Sequence, residues 1–134
     1  MGLIVDTNVF IALERRGDPI DLSRWDPSED VFISVVTVSE LLMGVHRADN
    51  PSRRERRSAF VEAIVQGVSV LDFTTDIARR HAELHAQLMR GGQLIGAHDL
   101  IIAATALHRA LTLLTDNVGE FRRVPDLNVT EFTS

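Results

Sequence analysis

The sequence predicts an α/β domain with a mainly parallel central sheet, and three observations predict it. Short apolar runs rich in β-branched residues alternate with longer segments whose apolar residues recur at helical spacing. The 134 residues correspond to the size of one domain. Hydrophobic residues make up 45% and charged residues 25%, a globular composition that excludes disordered and fibrous proteins. Because the sequence contains no repeat or linker, we expect one domain over residues 1–134.

Five strands are predicted. Four are apolar runs, at Leu3–Val5, Val31–Ser34, Val68–Leu71 and Leu111–Leu114. A fifth and weaker run, Leu127–Val129, follows a turn at Val124–Asp126 and is predicted to be an edge strand. The stretch Asp18–Asp30 contains two prolines and is predicted to be a surface loop whose Trp25 packs on the core.

Five main helices are predicted between the strands, over Asn8–Arg15, Val38–Arg47, Pro51–Gln66, Asp76–Arg90 and Asp99–Arg109. Two short helical turns are predicted near Gln93–Ala97 and Gly119–Arg122. The two glycines that follow Arg90, Gly91 and Gly92, predict the end of the fourth helix.

The charge balance is acidic, with 14 basic residues, 19 acidic residues and a formal net charge of -5. This balance argues against capture of nucleic acid by the whole surface, so such a substrate would need local arginines or bound cations. The absence of cysteine excludes a disulfide framework and a thiolate zinc site, and it suits a reducing compartment. No apolar run approaches the ~20 residues of a membrane span, so we expect a cytoplasmic protein that has no membrane partner.

Four acidic residues fall where predicted strands end or predicted helices begin. Asp6 follows the first strand, and Asp116 follows the fourth. Glu40 lies in the first predicted turn of the second helix, and Asp99 opens the fifth helix. Because the carboxyl ends of parallel strands meet at one edge of a sheet, these four side chains are predicted to share one crevice.

Each of these acids also has a purely structural interpretation. Asp6 is a candidate N-cap of the first helix, and Glu40 forms a capping-box pattern with Thr37. Asp99 suits the dipole of a first helical turn, and Asp116 suits a plain turn. Their convergence favours a chemical role, because carboxylates ~4 Å apart repel by roughly 1 to 4 kcal/mol unless cations or protons neutralise them.

Oxygen ligands without cysteine favour magnesium or manganese over zinc. Such cations activate water for attack on a phosphodiester, so the acidic cluster predicts metal-assisted hydrolysis.

Four blocks of the sequence contain these acids and carry a family resemblance. They are Ile4–Phe10, Ser34–Gly44, His98–Leu107 and Leu113–Phe121. The sequence resembles a PIN-domain ribonuclease, specifically the VapC type of toxin from type II toxin–antitoxin systems. The resemblance implies a three-layer α/β/α fold and endonucleolytic cleavage of RNA that depends on Mg²⁺ or Mn²⁺. It also implies a homodimer and a VapB-like antitoxin that blocks the acidic pocket.

The resemblance also assigns roles to individual residues. Asp6 and Asp99 match the principal metal ligands, and Glu40 matches a third acid that binds the metal or orients its water. Asp116 is predicted to be the fourth catalytic and metal-binding acid, but the family often places that acid one residue later, where this chain has Asn117, so either residue can fill the fourth position. Three polar neighbours are implied to orient the carboxylates, namely Thr7, Asn8 and Thr115.

Two other functions remain open from the sequence. One is a non-catalytic binding module that keeps the fold and uses the pocket to engage a partner. The other is a phosphatase that forms an aspartyl-phosphate on Asp6. Such phosphatases typically have a second acid at the position where this chain has Asn8.

Three further patterns have weaker interpretations. An arginine cluster suits either RNA phosphates or a solvated helix face, and consists of Arg47, Arg53, Arg54, Arg56 and Arg57. The pair His81 and His85 has the spacing of zinc ligands and is interpreted as incidental. The apolar residues after Glu40 are predicted to face the core, and these are Leu41, Leu42, Met43 and Val45.

Overall fold

The computed structural model describes residues 2–17 and 30–133. Within these ranges five strands form one sheet, namely β1 (Leu3–Val5), β2 (Val31–Ser34), β3 (Ser69–Leu71), β4 (Thr112–Thr115) and β5 (Val129–Glu131). Six helices accompany them, namely α1 (Thr7–Arg16), α2 (Val35–His46), α3 (Pro51–Gly67), α4 (Thr75–Arg90), α5 (Ala97–Arg109) and α6 (Val118–Phe121). The loop predicted at Asp18–Asp30, with its Trp25, lies outside the described residues except for Asp30.

The predicted strands and main helices are confirmed to within a few residues. The short helix α6 confirms the predicted turn at Gly119–Arg122. The other short turn is wrong, because residues 93–96 are irregular and Ala97 already belongs to α5. The predicted end of α4 is confirmed, with Gly92 in the left-handed conformation (φ 66°) that glycine adopts without strain.

All strand pairs in the sheet are parallel, and the strand order is β3-β2-β1-β4-β5. The weak fifth strand is confirmed at an edge. From β1 the chain builds outward through β2 to β3, and then returns to place β4 on the other side of β1. The carboxyl ends of β1 and β4 therefore border the position where the strand order reverses, which is the usual ligand crevice of such sheets.

Helices cover both faces of the sheet, which confirms the three-layer α/β/α architecture. Successive strand residues point to opposite faces. Leu3 and Val5 of β1 pack into a core with α1, α2 and α3, whereas Ile4 packs into a second core with α4 and α5. Phe10 and Phe121, one in each core, are both fully buried.

The second helix buries only part of the predicted apolar set. Leu41 and Val45 are buried as predicted, and Leu42 packs partly buried against the same core. The prediction is wrong for Met43, whose side chain is 46% exposed. Met43 lies two residues from both Leu41 and Val45, which turns it to the opposite side of a helix with 3.6 residues per turn.

The fifth helix carries its first turn to the carboxyl edge of the sheet. It precedes β4 and so runs antiparallel to the strands, which places its N-terminus at that edge. Three of its buried residues are small, namely Ala103, Ala104 and Ala106. None of the described helices is both long enough and apolar enough to cross a membrane.

Candidate active site

Asp6 lies at the carboxyl end of β1 and is buried, with only 2% of its surface exposed. It occupies the N-cap position of α1, but its side chain makes no capping hydrogen bond to that helix, so the N-cap interpretation is wrong. The carboxylate turns instead toward β4, where Thr115 Oγ1 donates to Asp6 Oδ2 at 2.7 Å. Thr115 Oγ1 in turn accepts the backbone N–H of Asn117 at 2.9 Å, which fixes the hydroxyl that orients Asp6.

Glu40 belongs to the second turn of α2, because the helix begins three residues earlier than the sequence predicts. The side chain of Ser34 caps the helix by accepting the backbone N–H of Val36 at 3.1 Å. The capping-box interpretation of Thr37 and Glu40 is therefore wrong. The Glu40 carboxylate instead accepts from the Thr7 hydroxyl, with 2.7 Å between Thr7 Oγ1 and Glu40 Oε1.

Two more side chains complete the surroundings of Glu40. Buried Thr37 lies with its Oγ1 3.0 Å from Thr7 Oγ1, so that hydroxyls from α1 and α2 meet below the carboxylate. His98 Nδ1 lies 3.3 Å from Glu40 Oε2 on the solvent side, and it forms an ion pair when the imidazole is protonated. These contacts link α1, α2 and α5 through one carboxylate.

Asp99 lies in the first turn of α5 and is hydrogen-bonded to a carboxyl group that the sequence analysis missed, Glu120 of α6. Glu120 is held by two further donors. The backbone N–H of Gly96 lies 2.8 Å from Oε1, and the Asn117 side-chain amide lies 2.7 Å from Oε2.

The structure brings Asp6, Glu40, Asp99 and Glu120 together at one edge of the sheet. Asp116 is exposed on the rim, where its charge still acts on Asp6. Asn117 faces Glu120, three residues along the chain. A signal for Glu120 was present in the sequence, because a glutamate three residues after Asn117 falls on the same face of a helical turn.

Burial and mutual repulsion raise the pKa of two of these acids. Burial is the largest cause for Asp6, whose pKa rises from 3.8 to about 6, against the lowering effect of the Thr115 hydrogen bond. The pKa of Asp99 rises to about 7, first through burial and then through the charge of Asp6 and the contact with Glu120. The pKa of Glu120 is lowered, chiefly by the Gly96 N–H. These opposite shifts favour Asp99 as the protonated member of the pair.

Lowering the pH is expected to stabilise the protein when a chelator is present. The folded state raises the pKa of both Asp6 and Asp99, so it holds protons that the unfolded chain has already released. Stability from these groups is complete below the unfolded value of 3.8 and is lost as the pH rises through about 6 and about 7. Asp6 alone contributes about 3 kcal/mol over the whole window, of which roughly half falls between about pH 5 and about pH 8.

Urea unfolding in chelator at about pH 5 and at about pH 8 measures the effect. The opposing contribution of Glu120 acts below its ordinary pKa of 4.5 and so lies outside the range, whereas His81, whose pKa is lowered from 6.5 by burial, opposes part of the effect within it. Asp6→Asn removes the titrating carboxyl group, so the free energy of unfolding of this variant should depend less on pH. Equal unfolding midpoints for the parent protein at both pH values would contradict the shifted pKa values.

The donor set fits a hard divalent cation. It consists of carboxylate oxygens, and their raised pKa values show the unfavourable negative charge that a cation would offset. Within residues 2–17 and 30–133 no three acidic or histidine side chains already converge on one point.

The sheet order, the helices on both faces and the acidic crevice define a class of protein. The chain belongs to the PIN domain family, whose model matches residues 3–127. Within that family it is similar along its whole length to VapC ribonucleases. Ribonuclease VapC1 of Rickettsia felis is 36% identical over 134 residues, which cover 100% of this chain and 98% of that protein.

Two other comparisons agree with this assignment. The tRNA(fMet)-specific endonuclease VapC of Salmonella typhimurium is 34% identical over 133 residues, with 98% of each chain covered. A chain in the crystal structure of VapBC-1 from nontypeable Haemophilus influenzae superposes with a TM-score of 0.86 and 30% identity, and both chains are covered completely.

The two histidines with zinc-ligand spacing lie on α4 and are separate from the carboxyl cluster. His81 packs edge-on against Phe73, with 5.6 Å between ring centroids. Burial lowers the pKa of His81, and His85 lowers it further.

Proposed function

We propose that the protein is a VapC-type toxin, an endoribonuclease that cleaves RNA phosphodiester bonds with the help of Mg²⁺ or Mn²⁺. One observation carries the proposal. Carboxyl groups of Asp6, Glu40, Asp99 and Glu120, distant in sequence, act on one another at the carboxyl edge of a parallel sheet. Such a cluster costs stability in the absence of a cation, so a structural role gives no reason to keep it.

The chain's own groups orient this site. Thr115 holds Asp6, Thr7 holds Glu40, and Gly96 with Asn117 holds Glu120. Fixed carboxylates need no reorganisation when charge develops on the phosphate. Asp6 and Asp99 would hold the cation, which when bound supplies Lewis-acid activation of water and offsets phosphate charge.

The remaining acids have supporting parts in this proposal. Glu40 is the third catalytic acid, close enough to Asp6 and Asp99 for its charge to act on both. Asp116 is retained at the rim of the site, where its charge acts on Asp6. Asn8, one of the three polar neighbours implied to orient the carboxylates, is exposed.

The phosphatase alternative is disfavoured, because attack by Asp6 would require an accessible carboxylate and the carboxylate of Asp6 is 2% exposed.

The proposal includes the partners of a toxin–antitoxin system. The Haemophilus influenzae structure is a VapBC complex, which supports a VapB-like antitoxin as the partner of this chain. A homodimer is proposed on the family resemblance. Since the substrate is RNA, the proposed place of action is the cytoplasm.

Purified protein incubated with total RNA, and separately with initiator tRNA, tests the function. The tRNA is included because the Salmonella relative is named for it. We expect cleavage in magnesium or manganese and none in chelator. Asp6→Asn in parallel should be inactive, which excludes a contaminating nuclease. A parent protein that binds manganese in calorimetry but cleaves no RNA would instead favour the non-catalytic binding module.

A further inference from the structure

Two cavities on the α1–α2–α3 face connect with the carboxyl cluster. The smaller, of about 190 Å³, starts at Glu40 and is bounded by Arg15, Arg47 and Arg57. The larger, of about 640 Å³, continues from it and adds Arg53 and Arg56. Both cavities are lined by Glu14, Arg15 and Arg57, so they adjoin each other and form one arginine-rich region. We call it the arginine groove and define it by Arg15, Arg47, Arg53, Arg56 and Arg57.

The charge of the groove is the reverse of the charge of the chain. Its walls carry five arginines against two glutamates, Glu14 and Glu40, whereas the whole chain has a formal net charge of -5. Arg54 belongs to the same sequence cluster but turns aside, with its Nη2 donating to the Ala48 carbonyl at 3.0 Å. Arg15 joins from α1, so the groove is a product of the fold rather than of one basic segment.

Three of the five arginines have no acidic partner among the residues that the structure describes. Arg57 is engaged structurally, with Nη1 donating to the Gly44 carbonyl at 3.0 Å and Nε 3.6 Å from Glu14. Arg53 is paired with Asp49 at 3.2 Å. Arg15, Arg47 and Arg56 contact no carboxylate within the described parts of the chain; Arg56 donates to the Ser52 hydroxyl. These three guanidinium groups are available to an anionic ligand.

We propose that the arginine groove binds the sugar–phosphate backbone of single-stranded RNA on one side of the bond to be cut. The inference rests on the proposed function, because it extends the same substrate from the carboxyl cluster. Guanidinium groups bind phosphate oxygens through paired, charge-assisted hydrogen bonds. The groove begins at Glu40, so it offers a path along which an RNA whose scissile phosphate lies among the acids would leave the site.

Fluorescence anisotropy with a labelled single-stranded RNA of mixed sequence, in chelator to prevent cleavage, tests the groove. The test variant is Arg15→Gln with Arg47→Gln and Arg56→Gln, which leaves the structural Arg57 intact. We expect binding at low salt to weaken about tenfold or more, and the slope of log affinity against log salt to fall by about 2, as for the loss of three single-strand phosphate contacts.

The matched control removes the same charge from three exposed arginines of α4, as Arg79→Gln with Arg80→Gln and Arg90→Gln. It should bind RNA with nearly the parent affinity and salt slope. In the parent protein, RNA that contains 4-thiouridine should crosslink to peptides of α1 and α3. Thermal melts of both variants check that folding is preserved.

The outcomes separate this inference from the proposed function. If the parent cleaves RNA and the groove variant binds RNA like the parent, the groove proposal is wrong and the function stands. If the groove variant retains RNA binding but loses capture of a VapB-like antitoxin, the groove belongs to a protein partner and the proposal is also overturned. If the parent neither binds nor cleaves RNA, both proposals fail.

Discussion

Asp99→Asn is expected to lower RNA cleavage by about 100- to 1,000-fold, the effect of losing one group that stabilises developing charge. The same change should stabilise the protein in chelator. The pKa of Asp99, about 7, is the higher of the two raised values in the cluster, because Asp99 is half-buried and lies near the charges of Asp6 and Glu120. Asparagine removes that unfavourable charge, and we expect a gain of about 2 kcal/mol at neutral pH, discounted from the full shift because Glu120 shares the proton.

Single-turnover cleavage and urea unfolding in chelator, measured on the same preparation, check both effects. Asp72→Asn is the matched control, since Asp72 is an exposed acid directly after β3. It should change neither activity nor stability appreciably. Cleavage by Asp99→Asn at the parent rate would show that the site assignment is wrong. A variant that loses activity and stability together would show that Asp99 has a structural role.

Glu120→Gln is expected to reduce cleavage about 10- to 100-fold, as is typical when a group that orients a metal ligand is lost. Asp116→Asn should have the smaller effect of the two. Glu120 is hydrogen-bonded to Asp99 and held by Gly96 and Asn117, whereas Asp116 lies exposed at the rim. The comparison therefore measures which acid completes the site.

The two variants are assayed side by side for cleavage and for manganese binding by calorimetry. Glu83→Gln, at an exposed position of α4, controls for the loss of one glutamate charge. If Asp116→Asn proves more damaging than Glu120→Gln, Asp116 is the fourth acid, as the sequence alone predicts. Parent-like activity in Glu120→Gln would show that the contact between Glu120 and Asp99 is structural and does not contribute to cleavage.

The start of α2 is a position where local sequence signals gave a wrong prediction, because the helix begins at Val35 and not at Val38. The three helical residues that the prediction left out, Val35, Val36 and Thr37, are β-branched and so favour strand over helix. In the structure the strand stops at Ser34, which pairs with Leu71, the last residue of β3. Ser34 is then free to cap the helix. Because the length of β2 depends on its partner strand, the three extra helical residues were not predictable from their own sequence.

The acidic residues show the same difference between what the local sequence predicts and what the tertiary structure decides. Asp6 and Asp99 were found because a position after a parallel strand, or at the start of the helix that returns to it, places a side chain at the carboxyl edge in any fold of this type. Glu120 was missed because its position depends on the Gly96 N–H and on Asp99, which lie more than 20 residues away in the chain. The capping interpretations of Asp6 and Glu40 failed for a related reason, since Thr115 and Thr7 provide the partners.

The sequence by itself determined the α/β class, the order of the elements and the edge at which the acids meet. These follow from the periodicity of apolar residues and from short-range turn and cap chemistry, which depend on residues close together in the chain. Only the tertiary structure decided which acids contact one another, how protonation is divided between Asp99 and Glu120, and which arginines line the groove. Those properties depend on distances and burial between residues far apart in the chain, and only the packed layers establish them.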